Sequence, residues 1–98
     1  ILSVEGVNGY IVGPYDLSGS LGKPGDFESK EFLEAILKIR TVGNKMGLPG
    51  GRHLIEPVPA DLIKCIEEGN RFIAYSLDIR MLDVSARQGL DAVFKKRT

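Results

Sequence analysis

Tryptophan is absent from the 98 residues, and cysteine and histidine occur once each, as Cys65 and His53. A lone cysteine excludes an intrachain disulfide, so no cross-linked secreted scaffold is expected and a reducing, cytoplasmic setting is. Flanked by Lys64 and Ile66 in a helical pattern, Cys65 reads as a small core residue rather than a nucleophile. Charge of one sign is lacking as well: 13 basic side chains face 13 acidic ones, for a formal net charge of zero. The one basic run, Lys95-Lys96-Arg97, suits a solvated helix end, where cations complement the macrodipole. Neither a nucleic acid nor a membrane surface held by electrostatics is therefore an expected partner. No apolar run approaches the roughly 20 residues of a membrane-spanning helix, and no signal peptide is visible.

Glycine, by contrast, is plentiful, with 12 residues. Three of them punctuate Val7-Asn8-Gly9-Tyr10-Ile11-Val12-Gly13-Pro14-Tyr15-Asp16-Leu17-Ser18-Gly19, the stretch that organises the chain. Tyr10 to Val12 suit a strand buried on both faces, and Pro14, which has no N–H to give to a ladder, ends it. Asp16 thus stands at the carboxyl end of a strand, where parallel α/β architectures bind ligands. Its rival role is to cap backbone amides of a tight turn.

The remaining elements follow from periodicity and punctuation. Ile1 to Glu5 read as the last turn of a helix closed by Gly6; with Ile1 in place of an initiator Met, a fragment or processed product is expected. Residues 16–26 read as loop, with one helical turn at 17–21. Ser29 is placed to cap a helix that runs to about Met46 ahead of Gly47, with Phe32, Leu33, Ile36, Leu37 and Ile39 as its buried stripe. Gly43 weakens its last turns. Gly50 to Ile55 form a second strand, whose Arg52 and His53 call for a polar or subunit-facing side.

Pro59 opens a helix to about Glu68, closed by Gly69, with Leu62, Ile63 and Ile66 inward. Phe72 to Leu77 make a third strand, and a helix over 79–96 presents Leu82, Ala86, Leu90, Val93 and Phe94. Strand and helix alternate three times, so the fold class is α/β with parallel βα units in one domain or part of one. A unit of this size buries about two-thirds or less of its unfolded surface, and its core is thin.

Gly6-Val7-Asn8-Gly9-Tyr10-Ile11-Val12-Gly13-Pro14-Tyr15-Asp16-Leu17-Ser18, followed by Leu21-Gly22, closely resembles the G-V-D-G-x-x-x-G-P-x-D-L-S…G segment of the HpcH/HpaI aldolases. Gly47-Leu48-Pro49-Gly50-Gly51 and Phe72-Ile73-Ala74-Tyr75-Ser76-Leu77-Asp78 resemble the seventh and eighth strands of that family. The resemblance implies the last three βα units of a TIM (β/α)8 barrel, a fold of about 250 residues, and a partial domain spanning residues 1–98. It also implies metal-dependent cleavage of 2-keto-3-deoxy acids to pyruvate and an aldehyde, in a homo-oligomer.

In the family's site Asp16 would be one of two acidic ligands of Mg²⁺, Mn²⁺ or Co²⁺. The segment Gly13, Pro14, Tyr15 and Asp16 would bind substrate, the amides of Tyr15 and Asp16 holding the pyruvate carboxylate. The other glutamate ligand, and the family's catalytic histidine and arginine, lie on earlier strands that have no counterpart in these residues, so no catalytic residue is assigned and the chain alone is expected to be inactive.

Other candidates have plainer readings. His53, without a neighbouring carboxylate, suits packing or a structural hydrogen bond. Glu56 lines the mouth or is a solvated loop carboxylate, and Arg52 marks a subunit contact or a departure from the family's packing. Ser76 lacks an adjacent base, and Gly19-Ser20-Leu21-Gly22 lacks the lysine and serine of a phosphate loop. Two readings outside the enzyme class remain: a self-associating, non-catalytic α/β fragment, and a small flavodoxin-like ligand-binding module.

Overall fold

A computed structural model describes residues 1–97. Its elements run β1 (Tyr10–Val12), α1 (Pro14–Ser20), α2 (Lys30–Lys45), β2 (Gly50–Leu54), α3 (Pro59–Glu67), β3 (Ala74–Tyr75) and α4 (Asp78–Arg97). The strands form one parallel sheet in the order β1-β2-β3. Neighbouring strands are consecutive in sequence, so the described sheet has no point where the order reverses; this removes the flavodoxin-like reading, which needs one.

Register divides the side chains between two faces. Tyr10 pairs with Gly50 and Val12 with Arg52, while Leu54 pairs with Tyr75; these residues share the face that looks toward α2. Ile11, Gly51, His53 and Ala74 take the opposite face. Tyr10 explains two glycines at once. A Cβ on Gly43 of α2 would stand 2.7 Å from the Tyr10 hydroxyl oxygen and 2.8 Å from Cζ, and a Cβ on Gly50 would press on the same ring even more closely. Gly43 is thus the socket for a strand aromatic, which its cost to helix propensity had concealed.

Helix ends follow the expected chemistry. The Ser29 side chain accepts from the Phe32 amide at 3.2 Å, and Gly47 and Gly69 take positive φ beyond α2 and α3. Three elements differ from expectation. Residues 1–6 make turns rather than a helical turn, α1 is a true helix starting at Pro14, and strand pairing at β3 covers only Ala74–Tyr75. The short β3 has a visible cause: the amides of Arg71 and Phe72 both reach the Gly50 carbonyl, and Ser76 leaves the strand with φ 58°.

The expected apolar stripes are only partly buried. Phe32 and Cys65 are the buried apolar side chains of the described core, Cys65 with no exposed surface at all. Leu33 and Leu37 on α2, Ile63 and Ile66 on α3, and Leu82, Leu90, Val93 and Phe94 on α4 all lie exposed. Among the described residues little is packed against these positions. The accessible surface is 7398 Å², against about 5,500 Å² for a close-packed monomer of this mass. The radius of gyration is 16.8 Å, where a compact chain of this length has about 13 Å. A 20-residue helix whose apolar positions are bare accounts for much of the difference.

Candidate functional site

The carboxyl ends of the three strands form one edge, and the chain turns into a helix at each. After β1, Gly13 precedes α1 without a side-chain cap, and Pro14 occupies the first helical position. The Leu17 amide bonds back to the Gly13 carbonyl at 2.9 Å. The amides of Tyr15 and Asp16, one turn too early for intrahelical partners, have no hydrogen-bond partner among the described residues. The Asp16 carboxylate folds back beside Gly13, where an added Cβ would lie 3.1 Å from Oδ2. It accepts no hydrogen bond from the described residues, so the capping role drops away.

Two devices hold this turn. Ser18, only 1% exposed, donates to the Tyr15 carbonyl at 3.0 Å and accepts from the Gly25 amide at 2.9 Å, which stitches α1 to the following loop. The Tyr15 ring meets Phe27 edge-on at 5.0 Å, and Phe27 lies against Phe32 of α2 at 5.4 Å. Such ring pairs add about 0.5–1.5 kcal/mol each beyond their burial. Ser18 carried no expectation of its own, yet its hydroxyl reaches back three residues as serines in a first turn do.

The other two strand ends are occupied differently. Glu56, beyond β2, is clasped by Arg80 of α4 through two bonds, Nε to Oε1 at 2.9 Å and Nη2 to Oε2 at 2.8 Å. Arg80 also binds Asp83, which in turn accepts from Arg87 Nε at 2.8 Å. The hydrogen bond from Arg80 lowers the Glu56 pKa, and bonds from Arg87 and Arg80 lower that of Asp83; Arg80 is held still more firmly protonated. Beyond β3, Asp78 accepts from the Ile79 amide at 2.8 Å. Unlike Glu56 and Asp78, Asp16 makes no side-chain hydrogen bond or ion pair among the described residues; Asp61, in the first turn of α3, makes none either.

His53 and Arg52 each make a contact within the chain. His53 Nε2 donates to the Ser76 carbonyl at 2.8 Å, the structural bond expected of it. Arg52 pairs with Glu68, just beyond α3, at 3.4 Å, with a third of each side chain still exposed. Ser76 is 6% exposed, and its hydroxyl is buried without a partner among the described residues. The 19–22 segment finishes α1 and turns at Gly22 with φ 81°. A cleft of about 380 Å³ opens beside the Asp16 turn, between α2 and α3, lined by Tyr15, Phe27, Phe32, Arg52 and Glu56 among others; Asp16 is outside it. No group of three His, Cys, Asp or Glu able to hold a metal occurs among the described residues.

The chain has relatives among known proteins. A 5-keto-4-deoxy-D-glucarate aldolase of Klebsiella pneumoniae is 38% identical over 96 residues, covering 98% of this chain and 36% of that protein. Its Escherichia coli namesake is 36% identical over the same span. An HpcH/HpaI aldolase/citrate lyase family protein from Burkholderia cenocepacia superimposes with a TM-score of 0.82 at 31% identity, over 91% of this chain and 34% of that one. Over nearly all of its length the chain is similar to HpcH/HpaI aldolases. An HpcH/HpaI aldolase from Desulfitobacterium hafniense agrees, with a TM-score of 0.81 at 28% identity over 95% of this chain.

No protein-family model matches the sequence. The chain spans a little over a third of the length of the curated relatives it matches. Its three parallel βα units reproduce the α/β arrangement of those barrel proteins over that share.

Proposed function

We propose that these residues are the C-terminal βα units of a metal-dependent carbon–carbon lyase that cleaves 4-hydroxy-2-oxo acids of the 2-keto-3-deoxy type to pyruvate and an aldehyde. The observation that carries the reading is the free carboxylate of Asp16 beside two amides without partners among the described residues, at the strand end where α/β proteins bind ligands. Asp16 would hold a divalent ion such as Mg²⁺, Mn²⁺ or Co²⁺, which as a Lewis acid lowers the cost of enolate formation. The amides of Tyr15 and Asp16, presented by the Gly13-Pro14 turn, would orient the pyruvate carboxylate. Hard cations take six or more oxygen ligands, and a single carboxylate leaves most of them to water. The second acidic ligand and the proton-transfer groups therefore come from outside these residues, and the 98-residue chain alone has little or no activity.

Exchange of pyruvate methyl protons for deuterium, followed by NMR with and without Mg²⁺, tests this reading. In the full-length protein, metal-dependent exchange is expected and Asp16→Ala removes it; exchange indifferent to that substitution refutes the assignment. The 98-residue chain should not exceed the metal-only control.

A second reading has its own support. The bare apolar positions of α4 and the surplus surface favour self-association, and a homo-oligomer is the expected state of the whole protein. Sedimentation of the chain as a monodisperse monomer would argue against it. No described helix is long and apolar enough to cross a membrane.

A further inference from the structure

At the opposite end of the sheet, where β2 and β3 begin, lies a cavity of about 270 Å³ lined by Tyr10, Arg40, Asn44, Glu68, Asn70 and Arg71, with glycines of the adjoining turns. Its lining draws on β1, α2, β2 and the segments following α2 and α3. Its electrostatics are unbalanced. Glu68, the one acidic side chain in the lining, is engaged by Arg52. Arg40 and Arg71 form no ion pair among the described residues, and they reach the cavity from different elements, α2 and the loop before β3.

The plain alternative is that the two arginines complement the carboxyl ends of α2 and α3, which also point here. Several of those carbonyls are already supplied. Gly47 and Leu48 donate to Asn44 and Gly43, Gly69 donates to Ile66, and the Cys65 carbonyl receives both the backbone and the side-chain amide of Asn70. Two guanidinium forks remain, with the Asn44 amide and the Tyr10 hydroxyl beside them in the lining, a set rich in donors and poor in acceptors. Planar forks of this kind match oxyanions in a bidentate manner.

We infer that this cavity is a binding site for a small doubly charged oxyanion of the phosphate class, separate from the Asp16 edge. Titration of the full chain with inorganic phosphate, against chloride at matched ionic strength, tests the inference by calorimetry and by amide shifts in ¹⁵N-labelled protein. Saturable binding is expected, with shifts centred on Arg40, Asn44 and Arg71, and Arg40→Gln and Arg71→Gln should each weaken it at least tenfold. Arg40→Lys, which keeps the charge but not the fork, should weaken it less than Arg40→Gln and serves if the glutamine variant fails to fold. Asp16→Asn should leave binding unchanged. Absence of saturable binding, equal affinity in the glutamine variants, or shifts centred on Tyr15 and Asp16 would overturn the inference.

Discussion

Gly43→Ala ought to stabilise a helix and should instead destabilise this one. Glycine inside a helix costs about 1 kcal/mol relative to alanine, so the substitution brings that much in favour. Against it stands the Tyr10 ring, with Cζ 2.8 Å from where the new methyl would sit. The ring has little room to give, because Gly50 also lies against it, and a Cβ there would meet the same ring atoms. Overpacking of this kind costs about 1–3 kcal/mol, and a ring with so little room belongs at the upper end. The net expectation is a loss of about 2 kcal/mol, or a thermal midpoint lower by about 8–16 °C for a domain of this length. Urea denaturation followed by circular dichroism measures it directly. In a Tyr10→Val background the clash is gone and Gly43→Ala should stabilise by about 1 kcal/mol, so the double-mutant cycle should return a coupling of about 3 kcal/mol. A stabilising effect of Gly43→Ala with Tyr10 present, or the same effect in both backgrounds, would refute the reasoning.

Three further outcomes are expected. Ser29→Ala removes the cap on the Phe32 amide and should cost about 1 kcal/mol, read as a lower urea midpoint with unchanged slope. Ser76→Gly should stabilise by about 1 kcal/mol, since it relieves a left-handed backbone at a residue with a Cβ and deletes a buried hydroxyl without a partner; a lower melting midpoint would contradict this. Glu56 and Asp83 have pKa values lowered in the folded state by Arg80 and Arg87, so the stability they lend is complete above the ordinary carboxylate range and fades as pH falls through their folded values. Thermal midpoints should therefore drop below about pH 4.5, and the double variant Glu56→Gln, Asp83→Asn should flatten that drop; an unchanged slope would exclude the ion-pair cluster as its source.

Local chemistry was legible wherever it is settled by neighbours in sequence. The Ser29 cap, Gly47 and Gly69 beyond their helices, Pro59 at a helix start and the strand before Gly13-Pro14 depend on dihedral preferences and hydrogen bonds within a few residues. The Gly-Pro-x-Asp segment likewise located Asp16 at a strand end. Its freedom was another matter: whether a carboxylate caps its own turn or stays uncommitted depends on which donors the fold brings near it.

The amino-acid sequence by itself determined the order of the three strands and of α2, α3 and α4, the Ser29 cap and the burial of Cys65. Only the tertiary structure decided that Gly43 and Gly50 lie against Tyr10, that Arg80 takes Glu56 from 24 residues away, and that Arg52 pairs with Glu68. It also decided which faces stay bare. Leu33, Ile63 and Leu82 obey helical periodicity as well as Phe32 does, but periodicity says only that a face is apolar. Whether that face is buried depends on what stands opposite it, and among the described residues little is packed against these three positions.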